Sequence, residues 1–197
     1  MTTFFISSCC SYHYDQKDFE FNADELKYFS SFHIGDTIFY ESSNFDLDTI
    51  LILNYDTEKY ENCGGLMAPR PLNGKWVRIK HLPIDKWHGT IKVQDKPIRI
   101  NYQSLFLITK YPLDKRTEFS IDFKDFQSRK DTIIGEYHTD TIDLHHLEIT
   151  NYYIVNHGYP DRITDSTNIE CVYWTDKEGL IAYKNKGGQV WTKKSNR

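Results

Sequence analysis

Six residues between positions 138 and 148 form the densest set of side chains able to hold a metal or move a proton: His138, Asp140, Asp143, His145, His146 and Glu148. A metal centre needs three or four imidazole, thiolate or carboxylate ligands converging on one point. Alternate residues of a strand share a face. That rule puts Asp143 with His145 on one side and His146 with Glu148 on the other, with His138 and Asp140 in a preceding turn. The spacing therefore splits the set. A bulge, or His157 contributed by the next connection, is needed to reunite His138, His145, His146 and His157 as the centre of a metal-dependent hydrolase. The competing reading is a group of ordinary surface or half-buried histidines, and the split spacing favours it.

Other catalytic signatures are missing from the sequence. There is no G-x-S-x-G elbow, no H-E-x-x-H and no C-x-x-C pair. Gly64-Gly65 and Gly187-Gly188 are not followed by a helical pattern, so neither reads as a phosphate loop. The carboxylate pairs Asp122 with Asp125 and Asp176 with Glu178 fall at strand edges and turns, where acidic residues are common anyway. These absences argue for a non-enzymatic role with no catalytic residues and no cofactor.

The four cysteines carry a different chemistry. Ile6-Ser7-Ser8-Cys9 matches a bacterial lipobox: an aliphatic residue, two small residues beside the scissile bond, and a cysteine whose thiol receives lipid. Phe4, Phe5 and Ile6 read as the end of an apolar segment, and the chain turns polar after Cys9. Only eight residues precede that cysteine and none is Lys or Arg, so the reading expects the positively charged start of the signal to lie upstream. Residues 1–21 are then a truncated signal, lipobox and tether, with Cys9 as the lipid anchor. Cys63 and Cys171 are the pair left in the body of the chain. They either form one disulfide in an oxidising envelope or are two small buried hydrophobes.

The elements that must position any such site read as strands. Aromatic residues make up 15% of the chain, whereas alanine occurs only at positions 23, 68 and 182. Branched and aromatic side chains suit a pleated, half-buried surface. One short helix is expected over 22–33, capped by Asn22 or Asp24. A first hairpin is expected from IGDTIFYESS and TILILNY, followed by a Gly/Pro loop over ENCGGLMAPRPLNGK. Alternating runs follow in KWVRIKHLP, in two strands around Asp95-Lys96-Pro97 and in EFSIDFKDF, with a tight hairpin through residues 130–155. IECVYWT, LIAYKN and QVWTK, separated by short Gly-ended turns, form a three-stranded meander. The triplet Asp-Thr-Ile recurs at Asp36, Asp48, Asp131 and Asp140, each time where a turn should hand over to a strand. Residues 22–197 are accordingly one mainly β domain: antiparallel sheets of about ten strands, arranged as a sandwich or a curved half-barrel.

The stretch VYWTDKEGLIAYKNKGGQVWT resembles the closing hairpin of small cell-envelope lipoproteins of the Bacteroidota type, and FHIGDTIFYESSNFDLDTI resembles their first hairpin. The resemblance implies an envelope compartment, outer-membrane or periplasmic, and a β fold. It carries no catalytic residue.

Charge and aromatic content bound the partners. Net charge is −4 and pI about 6.0, with both signs interspersed, so the basic stripe needed to neutralise phosphates is missing and no nucleic-acid partner is expected. No run of about 18 apolar residues is present, so the membrane partner is reached through the lipid. Tyr152, Tyr153, Tyr159, Tyr173, Trp174, Tyr183 and Trp191 supply rings for a protein, glycan or lipid ligand, or simply for the core. The function expected is that of a lipid-anchored envelope protein with a binding or structural role. The alternative is a carrier of a hydrophobic ligand, which requires an apolar cavity inside a half-barrel.

Overall fold

The computed structural model describes residues 15–60, 71–82, 89–93, 96–100, 102–130, 134–145 and 147–194. Cys9, Cys63 and His146, together with the Asp131 copy of the repeated triplet, lie outside them. After a 3-10 turn over Gln16–Phe19 comes a helical segment, α1 (Ala23–Leu26), which tightens into a second 3-10 turn over Lys27–Phe29. Asn22 caps it. Its side chain accepts from the Glu25 backbone N–H at 2.8 Å while the Glu25 carboxylate accepts from Asn22 N–H at 2.8 Å. The same carboxylate receives Thr117 and Lys110, so the cap also fastens the segment to the sheet. Ordered helix ends well before residue 33, because Ser30 and Ser31 are poor formers and Phe29 and Phe32 are both drawn into the core.

Thirteen strands are seen among the described residues. β1 (Thr37–Ser42) and β2 (Leu47–Tyr60) form the expected first hairpin, and β3 (Leu72–Leu82) follows. The next stretch holds three strands rather than two: β4 (Gly89–Val93), β5 (Lys96–Ile100) and β6 (Gln103–Tyr111). β7 (Arg116–Phe123) turns tightly into the two-residue β8 (Phe126–Gln127). β9 (Glu136–Leu144) and β10 (Leu147–Asn156) make the long hairpin, and β11 (Ile169–Thr175), β12 (Gly179–Asn185) and β13 (Val190–Lys193) make the C-terminal meander.

Eleven of these strands form a single antiparallel sheet in the order β8-β7-β6-β3-β2-β1-β13-β12-β11-β10-β9, and β4 with β5 form a separate hairpin. The pairing of β1 with β13 joins the N-terminal and C-terminal halves. The sheet curls into a half-barrel rather than splitting into a sandwich. Its β8 edge comes round to the β10–β11 flank, where the Gly158 N–H donates to the Gln127 carbonyl at 2.8 Å and the Ile169 N–H to the Asp125 carboxylate at 3.1 Å. Gly158 is required at that seam, since a Cβ there would stand 2.6 Å from the Arg129 backbone nitrogen.

The curl encloses the main core. Ile50, Ile52, Val77, Ile79, Phe106, Ile121, Phe123, Val172 and Trp174 point inward from five strands, and Phe29 and Phe32 enter from the helical segment and the turn that follows it. Phe106 and Trp174 meet with ring centroids 4.9 Å apart, although their strands stand far apart in the sheet order. β9–β12 bury their reverse face as well, through Leu144, Ile149, Tyr152, Cys171, Tyr173 and Ile181. Burial on both faces explains why β11 and β12 read as nearly continuous apolar runs.

β9 is the exposed edge. Its acids Glu136, Asp140 and Asp143, with a register shift opposite Asn151 (φ 55°), discourage further strand pairing. The repeated triplets divide on their setting. Asp36 directly precedes β1 and Asp48 stands at the second position of β2, but Asp140 lies in mid-strand. Among the described residues, no helix is long and apolar enough to cross a membrane.

Candidate functional site

A cleft of about 890 Å³, open to solvent, lies at one mouth of the half-barrel. Its walls come from segments distant in sequence: the end of β3, the start of β6, the β7–β8 turn, the residues leading into β11, and the facing ends of β12 and β13. Below it, Tyr40, Phe123 and Tyr183 pack edge-on, with centroids 5.2–6.2 Å apart, and close off the interior.

The floor is polar. Asp48 of β2 is buried, and one of its carboxylate oxygens accepts from the Lys124 ammonium at 2.8 Å and from the Tyr183 hydroxyl at 2.8 Å. Lys124 also donates to that hydroxyl at 2.9 Å. The buried His81 ring stands 3.8 Å from the other oxygen. Burial alone would raise the Asp48 carboxyl, yet the His81 ring and the Lys124 charge outweigh it and hold the group well below the carboxylate range. Burial and the neighbouring Asp48 charge push the Tyr183 hydroxyl far above its ordinary value, so it stays protonated.

Lys124 is held from behind. It adopts a left-handed backbone (φ 57°), uncommon for a residue with a side chain, in the two-residue turn between β7 and β8. The buried Gln103 amide clamps it from both sides: Oε1 accepts from Lys124 N–H at 2.7 Å, and Nε2 donates to Lys124 C=O at 2.9 Å and to Asp122 at 2.7 Å. The ammonium is thereby set over two rings, 4.7 Å from the Tyr183 centroid and 5.2 Å from that of Trp191. Those rings stack on each other at 5.6 Å and 11°. Asp122, beside Gln103, is raised by burial.

The described members of the 138–148 set do not assemble in this way. Among the described residues no group of three His, Cys, Asp or Glu side chains could hold a metal ion. His138 and Asp140 lie within β9, not in a turn, because the hairpin reverses later, at His145 (φ 60°). His138 stacks on Tyr152 at 5.2 Å and 11°, whereas the His145 ring meets Phe45 from the β1–β2 turn. Asp143 and Glu148 stand directly opposite each other across the hairpin, on one face rather than two, since the strand pairing places both on the same side of the pleat. His157 is a satisfied buried histidine: Nδ1 accepts from Tyr159 N–H at 3.0 Å and Nε2 reaches the Asp125 carbonyl at 3.1 Å.

Of the other sequence candidates, Asp122 and Asp125 do reach a site, as walls of the cleft, together with Tyr183 and Trp191. Tyr152, Tyr173 and Trp174 are buried as core. Asp176 is paired at 2.7 Å with Lys27, far from the cleft. Cys171 is a buried free thiol whose ionisation burial pushes upward. Native protein is therefore expected to label at Cys171 with a thiol reagent only at the rate of unfolding, as read by peptide mass mapping. Rapid labelling without denaturant contradicts this placement.

Asp48, His81, Gln103 and Lys124 were not legible as site residues. The one local signal was an acid lodged in the apolar run LDTILIL, where a strand start already explained it. No known protein family, curated protein or solved structure matches the chain.

Proposed function

We propose that the protein is a lipid-anchored component of a bacterial cell envelope that binds a small polar ligand in the cleft at the mouth of its half-barrel. The observation that carries the binding role is the Asp48–Lys124–Tyr183 network beneath an open cleft of about 890 Å³. A buried ion pair commonly adds no stability over apolar side chains of the same volume. Here it is also held by a dedicated amide and a left-handed turn, which is the kind of support a preorganised binding site uses. The volume lies within the roughly 300–1,000 Å³ usual for small-molecule sites. The anchor rests on the lipobox at Cys9 and on the hairpin resemblance.

Neither alternative gains a comparable observation. A carrier of hydrophobic ligands needs an apolar cavity, whereas the described interior is filled by Phe106, Phe123 and Trp174. A metal hydrolase needs ligands that converge.

Two measurements test the two halves. Expressed from its complete reading frame in a bacterial host, the protein should incorporate labelled palmitate and fractionate with membranes, and Cys9→Ser should end both. A soluble, unlabelled product removes the anchor. For binding, amide and indole NMR shifts are followed while a chemically mixed panel of small polar molecules is added. Shifts should concentrate on Gln103, Lys124, Asn168 and Trp191; a panel that moves none of them removes the binding role.

A further inference from the structure

We infer that the ligand of this cleft is a neutral polyhydroxylated molecule, one or a few sugar rings of a glycan; the inference rests on the binding reading above. The cleft offers acceptors and donors side by side. Asp122 and Asp125 present carboxylates, while the Lys124 ammonium presents only donors. An incoming group must therefore donate to the first kind and accept from the second within one small volume. A hydroxyl does both, and adjacent hydroxyls on one ring do so at neighbouring points.

The other ligand classes meet specific obstacles. The Lys124 charge is already balanced by Asp48 at 2.8 Å, which leaves Asp122 and Asp125 to set the sign of the walls against an anion. A cation is drawn to ring faces, but the Lys124 ammonium already stands 4.7 and 5.2 Å from the Tyr183 and Trp191 ring centres and repels a second positive charge there, which a neutral ring does not feel. An acyl chain would desolvate the carboxylates and ammonium without giving them a hydrogen bond.

Rings and amides complete the match. Trp191 is half-buried and braced by its stack on Tyr183, and Tyr102 on another wall is braced by the Arg78 guanidinium at 4.2 Å. Rigid rings supply apolar area for the C–H faces of a sugar at low entropic cost. Asn168 uses its Oδ1 to accept from the Thr164 and Asp165 N–H groups, at 3.1 and 2.8 Å. Its amide N–H pair is the group it offers to a ligand.

The test uses the folded protein and calorimetry together with the same amide and indole shifts. The neutral probes are maltotriose, cellotriose, chitotriose, mannotriose and xylotriose; trigalacturonate, spermidine and laurate represent the anionic, cationic and apolar classes. At least one neutral trisaccharide should bind with shifts at the Trp191 indole and the Lys124 amide. Trp191→Ala should weaken it by about tenfold or more, equivalent to about 1.4 kcal/mol. Asn168→Asp keeps the Oδ1 caps and removes the donors, so it should weaken binding at an unchanged melting temperature. That variant decides the matter if Trp191→Ala fails to fold. If trigalacturonate, spermidine or laurate moves the cleft signals and no trisaccharide does, the sugar assignment is overturned while a binding cleft remains. Trisaccharide binding that leaves the cleft signals unmoved, or that Asn168→Asp does not weaken, overturns it too. If no probe of any class moves those signals, the binding reading falls with it.

Discussion

Asp48→Ala is expected to lower the unfolding free energy by about 2–3 kcal/mol. That is less than the roughly 3–5 kcal/mol usual for breaking a fully buried pair, because the Lys124 side chain it strands is 24% exposed and can recover some water. Urea denaturation should show the loss, and the double variant with Lys124→Ala should cost less than the sum of the two singles. Strict additivity would mean the pair is not coupled. The acid limb provides a second check. Asp48 is depressed in the folded state below its ordinary value of 3.8, so its contribution is complete above about pH 4 and is lost as pH falls toward the folded value. Wild-type stability should therefore drop on strong acidification, and Asp48→Asn should flatten that drop. Asp122 works in the opposite sense. Its folded value is raised, so protonating it on moving down from neutral pH favours the folded state. Asp122→Asn should remove that gain and leave the Asp48 slope in clearer view.

Phe106→Ala should cost more, about 3–5 kcal/mol, the range for deleting a fully buried aromatic ring. Phe106 touches Phe29 at 5.3 Å, Tyr28 at 5.9 Å and Trp174 at 4.9 Å, so one ring ties the helical segment and both arms of the curl together. The half-buried Phe119, on the next strand, should cost distinctly less when truncated. Equal losses at the two positions would mean that Phe106 does not bridge the arms. Because Phe106 lies in the shared core and not in the cleft wall, ligand affinity should change little at temperatures where the variant stays folded.

Much of the fold could be read along the chain. Ile121 and Phe123 alternate with polar neighbours, and they are buried on β7 as that alternation requires. The C-terminal meander and the first hairpin formed where turn residues separate branched and aromatic runs, and Asn22 caps the helix as its position before Ala-Asp-Glu suggests. Local periodicity is enough for these features because a strand needs only to know which of its faces is wet.

The curl and the cleft were a different matter. The sequence by itself determined that the domain is antiparallel β and where its turns fall. Tertiary structure decided that β1 pairs with β13, that the β8 edge returns to β10 and β11, and that Asp48, His81, Gln103, Lys124 and Tyr183 meet across separations of up to 135 residues. The histidines at 138–157 stood out because they are close in the chain, although their spacing already divided them, and His138, His145 and His157 each take different partners. The cleft residues looked unremarkable because nothing local distinguishes a lysine in a turn from one that a distant amide and carboxylate will hold. Periodicity reports which face of an element is buried; only the path of the chain in space reports what that face is buried against.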